Sequence, residues 1–547
     1  MKIKEYIKDS FLSDLKAGFI TAVVALPLAI AFAIASGVPP IMGLYTAIIA
    51  GVLGSALGGS KFSITGPTGA MTVIILSTVN KYGIEGLLLA GFLAGILQLF
   101  FGIIKLGKVV KYIPLPVISG FTAGIGVIIF SGQIANALGI TIAPQEHIWN
   151  TLIEIIRNLS TTNIIAVTIT AGTILLLVLY PRIFKEIKFF RNIPASMIAL
   201  IITISATFFL SLSVPTVGVI PTQLPSFQLF AINFELVKAV LPAALTIALL
   251  GAIEALLCAV VADGMTNTKH ESDKELRSQG IANITLPFFN GIPCTAAIAR
   301  TAVNIREGAK TKGAGIIHAL FLLLTILFFG PIALYIPKAF LAGILLFVSA
   351  RMINLEEFRT IIKMSRADTI VLFATFILTV TTDLVFAVQI GMILAIFLIF
   401  IKLTETANIT HMDDFEPNGR INKMINENRV LKENVAVFTI QGPFFFGAIN
   451  IFEKKISAHM DMRKKIIILR MKHVPFVDTS GIERLKSFIK ERHKDKRIVL
   501  ITGLKQRVEE KLELDKEFNH LMKEEHIFPH TMDAIRYIEE KIIKEKN

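Results

Sequence analysis

The chain has 547 residues, 53% of them hydrophobic and 18% charged, with a mean hydropathy of +0.67. This balance excludes a soluble globular protein and indicates a polytopic membrane protein with the lipid bilayer as its surroundings. The formal net charge of +14 does not indicate a nucleic-acid partner, because the cations sit in short loops beside apolar spans and in the C-terminal tail, as positive-inside topology requires. The two cysteines, Cys258 and Cys294, lie in apolar surroundings and do not form a disulfide framework. No metal-ligand spacing, P-loop or catalytic triad is present, so no metal, no cofactor and no enzymatic reaction are expected.

Taken in chain order, residues 1–13 form an amphipathic lead. Span 1 covers 14–36, is too long for a signal h-region, and contains Pro27, which predicts a kink. Span 2 covers 41–57, and a Gly58-Gly-Ser turn leads to a strand-like run at 61–65. Span 3 is then a short apolar helix from about Thr68 to Val79, reached through Thr65-Gly-Pro-Thr-Gly-Ala-Met71. Asn80-Lys-Tyr-Gly83 is predicted as a turn, and span 4 covers 84–104. Span 5 covers 114–138, a polar external stretch 139–162, span 6 163–180 and span 7 194–213. A Pro-rich connector, Val214 to Gln228, ends the first half.

The second half opens with span 8 at 237–263 and a polar loop from Asp263 to Arg277. Span 9, at 278–287, is short and weak. Phe288-Phe-Asn-Gly-Ile-Pro-Cys-Thr-Ala-Ala297 repeats the earlier pattern, extended residues running into Gly, Pro and Thr, and leads into short span 10 at 294–305. Spans 11 to 14 cover 313–334, 339–350, 367–381 and 384–402. With the N-terminus inside, the basic loops 105–111, 182–191, 264–277, 306–312 and 351–366 all fall on the cytoplasmic side, as does everything after 403. Fourteen spans divide as seven plus seven, and an odd number per half makes the second half an inverted repeat of the first.

Two interrupted, short segments in matching places of two halves point to a transporter's binding site. In lipid an extended arm is tolerated only when it is buried in protein or lines a cavity. A helix that starts partway across the membrane aims free N–H groups and a positive dipole end into that cavity, which favours an anion. The expected substrate-binding set is Thr65, Gly66, Thr68, Gly69 and Ala70 on one arm and Thr295, Ala296, Ala297 and Arg300 on the other, with Ser63 as a further hydroxyl. Arg300, some six residues past the expected helix start, either attracts the anion, snorkels to the inner surface or pairs with a buried acid.

Glu254 lies within the apolar run Ala243–Ala262. A carboxylate there costs roughly 2.5–3.5 kcal/mol on insertion scales, so its default reading is functional. A carboxyl in apolar surroundings is suited to carrying a proton, and Cys258 lies one turn later on the same face, giving an ion-coupling pair. Asp263 is expected to anchor the following loop, and Gln98 and Gln133 to join helices. Residues 403–433 read as a polar linker. From 434 to 547 the pattern is a soluble α/β domain, with strands at 435–440, 465–470 and 497–502 and helices at about 450–460, 480–491, 505–513 and 532–544. Val477-Asp-Thr-Ser-Gly481 opens one of these helices. Asp478 or Thr479 is placed to cap it, and Asp478, Thr479 and Ser480 form a candidate regulatory or docking site for a cytoplasmic partner.

Three stretches resemble the SulP anion permeases, the bacterial relatives of the eukaryotic sulfate/anion exchangers and prestin: Gly18-Phe-Ile-Thr-Ala-Val-Val-Ala-Leu-Pro27, Gly66-Pro-Thr-Gly-Ala70, and the block from Gly251 to Asn304. The tail is similar to a STAS domain, whose signature matches 478–481. The resemblance implies the uracil-permease-like fold: a core of spans 1–4 and 8–11 moving against a gate of spans 5–7 and 12–14, usually in a homodimer. It also implies a substrate site between the starts of half-helices 3 and 10. Glu254 falls where bicarbonate members have a sodium-binding Asp, and Cys258 where they have a hydroxyl ligand, so this chain resembles the proton-coupled members more closely, four-carbon dicarboxylate transporters among them. The reading is a proton-coupled secondary transporter of sulfate, dicarboxylate or bicarbonate, working by alternating access in the bacterial inner membrane with both termini cytoplasmic. The alternatives are an uncoupled exchanger or channel, a sodium-coupled bicarbonate transporter, or a membrane-tethered regulatory module centred on the tail.

Overall fold

The structure, a computed structural model, describes residues 6, 9–108, 114–142, 148–184, 186–187, 193–230, 233–382, 384–406, 408–411, 419–449, 452, 456, 463–522 and 526–543. They fall into two compact units, Met1–Ala395 and Ile396–Asn547. The first unit opens with α1 (Phe11–Ala35), which carries Pro27 in its interior, and α2 (Pro40–Leu57), whose proline occupies the first helical position, where no N–H is needed. Strand β1 (Thr65–Gly66) leads to α3 (Gly69–Ile103). The turn expected at 80–83 is instead a one-residue break inside α3: Gly83 adopts φ 72° and ψ −177°, so Asn80, Lys81 and Tyr82 remain helical.

Helix α4 (Leu115–Leu138) follows, then α5 (Ile148–Arg157), an amphipathic helix inside the stretch expected to be polar and external. Helix α6 (Ile164–Ile183) is capped by Asn163, whose side chain accepts from the N–H groups of Ile165 and Ala166, and α7 (Ala195–Phe209) closes the first half. In the second half, α8 (Phe234–Thr266) carries Glu254, and α9 (Ser272–Thr285) begins six residues before the span expected there. The predicted loop is therefore shorter than its polarity suggested. Ser272 to Arg277 are helical because Glu275 and its neighbours find partners inside the protein. A 3₁₀ turn (Leu286–Phe289), strand β2 (Thr295–Ala296) and α10 (Ile298–Arg306) come next. Then follow α11 (Gly313–Phe329), α12 (Lys338–Met352), α13 (Leu355–Met364), α14 (Arg366–Thr381) and α15 (Leu384–Thr406). Helix α13 lies in the basic stretch expected as a loop. Among the described residues, nine helical stretches are long and apolar enough to cross a membrane. Other predicted spans fall on the shorter α7, α10 and α14 and on the polar α9.

Helices α8 and α9 pack on α3, α11 packs on α1 and α2, and α12 and α14 pack on α4. Small residues set the closest of these approaches. A Cβ on Gly95 would stand 2.5 Å from the Ile284 nitrogen, and one on Gly280 2.5 Å from the Leu99 nitrogen, so α3 and α9 touch backbone to backbone. The apolar centre of the unit joins Ala29, Phe32, Leu44, Met71, Ile75, Leu87, Ile247 and Phe340.

The second unit is built on a five-stranded sheet in the order β3-β4-β5-β6-β7: β3 (Asn408–His411), β4 (Val435–Gln441), β5 (Ile466–His473), β6 (Ile498–Thr502) and β7 (Ile527–Phe528). Strand β3 is antiparallel to β4, and the remaining pairs are parallel. Both faces are covered, which is why the strands read as unbroken apolar runs. Phe438, Leu469 and Val499 face one core, and Val437, Ile468 and Leu500 face the other. The described residues of the stretch expected as a linker, 403–433, hold the end of α15, strand β3, α16 (Arg420–Glu427) and α17 (Arg429–Asn434). Helices α18 (Thr479–Lys494), α19 (Gln506–Glu513), α20 (Lys516–Leu521) and α21 (Thr531–Tyr537) follow. Most of the helix expected at 450–460 lies outside the described residues.

Candidate functional site

The two broken segments meet. Strands β1 and β2 pair antiparallel, Thr65 opposite Ala296 and Gly66 opposite Thr295, and the Ala297 N–H donates to the Ile64 carbonyl at 2.9 Å. Helices α3 and α10 therefore start beside one another and leave in opposite directions. Neither start is capped by a side chain. Thr68 precedes α3 in an extended conformation and Ala297 precedes α10, and neither supplies a capping hydrogen bond. Each start presents first-turn amides and the positive end of a dipole, worth about half an elementary charge. Thr65, Gly66, Thr68, Gly69, Ala70, Thr295, Ala296 and Ala297 are all buried.

Arg300 is the third residue of α10, not the sixth past its start, and only 1% of it is exposed, which rules out snorkelling. Its Nη2 donates to the Pro67 carbonyl at 2.5 Å, so the guanidinium bridges from one broken helix to the other. Its Nη1 is buried with no hydrogen-bond partner. Gly66 makes room for it: a Cβ there would stand 2.7 Å from Arg300 Nη1. An unpaired buried guanidinium nitrogen beside two uncapped helix starts makes a cradle whose donors and positive charge suit an oxyanion.

Half-buried Glu254 reaches the same place from α8. The hydroxyl of Thr68 donates to its Oε2 at 2.9 Å instead of capping α3, and the charge of Arg300 acts on Glu254 through space. Cys258, one turn on, is fully buried, and its thiol donates to Thr301 Oγ1 at 3.1 Å. Thr301 in turn accepts the Ile64 N–H at 2.9 Å. Thr295 does not point its hydroxyl at the cradle but donates to the Gly251 carbonyl at 2.8 Å. Asp263 anchors its loop, accepting from the His270 N–H and the Thr268 hydroxyl. Gln98 does join helices, donating to the Ala248 carbonyl, whereas Gln133 accepts from Asn136 on its own helix.

Sequence reasoning missed the residues that hold the arms. Helix α9 is too polar for lipid, and that polarity was the available signal. Asn283 pairs with both backbone groups of Cys294: its Nδ2 donates to the carbonyl at 3.0 Å and its Oδ1 accepts the N–H at 2.8 Å. Gln279 donates to Thr65 Oγ1, and Glu275 accepts the N–H groups of Gly59 and Ser60. On the other side Asn304 donates to the Phe62 carbonyl at 3.0 Å. Apart from Gln279, whose partner is a side chain, these residues satisfy non-helical backbone that has no water to turn to. Asn283→Leu leaves two buried peptide groups unpaired, each costing about 1–3 kcal/mol. The expected outcome is a clear drop in the unfolding temperature of the detergent-solubilised protein, and an unchanged temperature would contradict this role for Asn283.

In the second unit Asp478 caps α18, its Oδ1 accepting the Gly481 N–H at 2.7 Å, while its Oδ2 accepts the Phe446 N–H at 3.2 Å. Thr479 and Ser480 are exposed on the first turn.

Comparison with known proteins gives the family of the chain. Residues 11–375 match the sulfate permease family and residues 428–534 match the STAS domain. The chain is 40% identical over 542 residues to the YvdB protein of Bacillus subtilis (strain 168), covering 97% of this chain and 98% of that one. It is 30% identical to the bicarbonate transporter BicA of Picosynechococcus sp. (strain ATCC 27264 / PCC 7002 / PR-6), covering 95% and 96%. The overall structure of SLC26A9 superposes with a TM-score of 0.88 at 19% identity, covering 99% of this chain and 92% of that one, a likeness of fold. The chain belongs to the sulfate permease family of membrane anion transporters, not enzymes, and carries a C-terminal STAS domain.

Proposed function

We propose that this protein is a secondary transporter of a small oxyanion of the sulfate, bicarbonate or dicarboxylate class, coupled to protons through Glu254. The observation that carries the reading is the unpartnered Nη1 of buried Arg300 beside the uncapped starts of α3 and α10. The anion is held by the first-turn amides at Gly69, Ala70 and the start of α10, and by Arg300. Glu254 touches the same arm through Thr68, so its protonation and the filling of the cradle act on one another. Cys258 offers sulfur where sodium takes oxygen ligands, which favours the proton over sodium.

In this reading the bundle of α1–α3 and α8–α11 carries the site past the bundle of α4, α6, α7, α12, α14 and α15, giving alternating access. The protein is a homodimer in the bacterial inner membrane with both termini cytoplasmic. Thr479 and Ser480, on the Asp478-capped turn, are a regulatory contact for a cytoplasmic partner. The test is a competition panel in proteoliposomes, with sulfate, bicarbonate, fumarate and succinate set against an acid-outside gradient. Gradient-driven accumulation of at least one of them is expected. Flux of all four that ignores the gradient would leave an uncoupled exchanger or channel instead.

A further inference from the structure

We infer that α5 is an interfacial helix, seated by one face in the lipid headgroup and upper acyl region of the leaflet where α4 ends and α6 begins. Trp149, Ile153 and Ile156 recur at helical spacing and are 59%, 47% and 66% exposed, forming an apolar strip. The helix is held from its other side, where buried Ile155 packs with Ala135 and Ile140 at the end of α4. Exposed Asn150 and Arg157 lie at the two ends of the strip, with Arg157 paired to Glu154 at 2.9 Å.

The occupant follows from where the strip sits. Helices α4 and α6 are both long and apolar enough to cross a membrane, which tethers α5, between them in the chain, to one membrane surface. Next along the chain, Leu159 is exposed, as are Ile164 and Ile165 on the first turn of α6. A short helix with Trp and Ile on one face and polar groups at its margin is the composition that settles at a bilayer interface, where the indole ring is favoured. Facing water, the same strip would leave large apolar area exposed at the one place where hydrocarbon is within reach.

The chain has a single tryptophan, Trp149, which makes the test direct. The full-length protein is reconstituted in vesicles whose lipids carry bromine near the headgroup end of the acyl chain or near the methyl end. The expected result is loss of most Trp149 emission with the shallow bromines, a smaller loss with the deep ones and little loss with aqueous iodide. Ile153→Trp in a Trp149→Phe background should give the same depth order, because both positions share the strip. Emission untouched by brominated lipid overturns the inference, whether iodide then quenches it, as for a water-facing strip, or fails to, as for a strip covered by a second copy or another protein.

Discussion

Arg300→Met is expected to lower uptake at subsaturating anion by about 30- to 4,000-fold, the range spanned by 2–5 kcal/mol for removing one member of a buried charged contact. Two losses add. The anion loses the only buried cation that the described residues place beside both helix starts, and the Pro67 carbonyl loses its donor. Arg300→Lys separates them: it keeps a charge but not the fork that reaches Pro67 and the cradle together, so its rate should fall between wild type and Arg300→Met. Initial uptake rates in proteoliposomes, with unfolding temperature as a check on folding, decide the matter. Near-wild-type uptake by Arg300→Met would remove the guanidinium from the site.

Glu254→Gln is expected to abolish stimulation by an acid-outside gradient while anion exchange down matched gradients continues. The amide keeps an oxygen that can accept from Thr68, so the start of α3 keeps its geometry. What it loses is the ability to pick up a proton on one side and release it on the other. The sign is fixed: a proton entering with the anion makes wild-type uptake faster when the outside is acid, and the variant should show equal rates with and without the gradient. A variant still accelerated by external acid would place the coupling group elsewhere.

Much of this was legible in the residues. The Gly-Pro-Thr-Gly run at 66–69 and the Gly-Ile-Pro-Cys-Thr run at 291–295 mark where helices break, because backbone in lipid must be explained and these residues end helices. Glu254 stood out as a charge inside an apolar run. The pairing of β1 with β2 did not show, because a two-residue ladder leaves no alternation to read. Nor did the work of α9: in a single sequence Gln279 and Asn283 look like a weak span, and only the fold brings them against Thr65 and Cys294. Arg300 was misplaced by about one turn because the extended arm runs through Ala297 before the helix begins, which turns its side chain back across Gly66 instead of out to the surface. Strand β3 went unseen in the polar stretch after α15, since an edge strand of four residues carries no core signal of its own.

The most direct measurement is the position of the bound anion, located by the anomalous signal of selenate in crystals of the full-length protein. The account predicts a peak between the first turns of α3 and α10, within hydrogen-bonding reach of Arg300 Nη1. A well-occupied peak away from both helix starts, at selenate concentrations that compete with uptake, would contradict it.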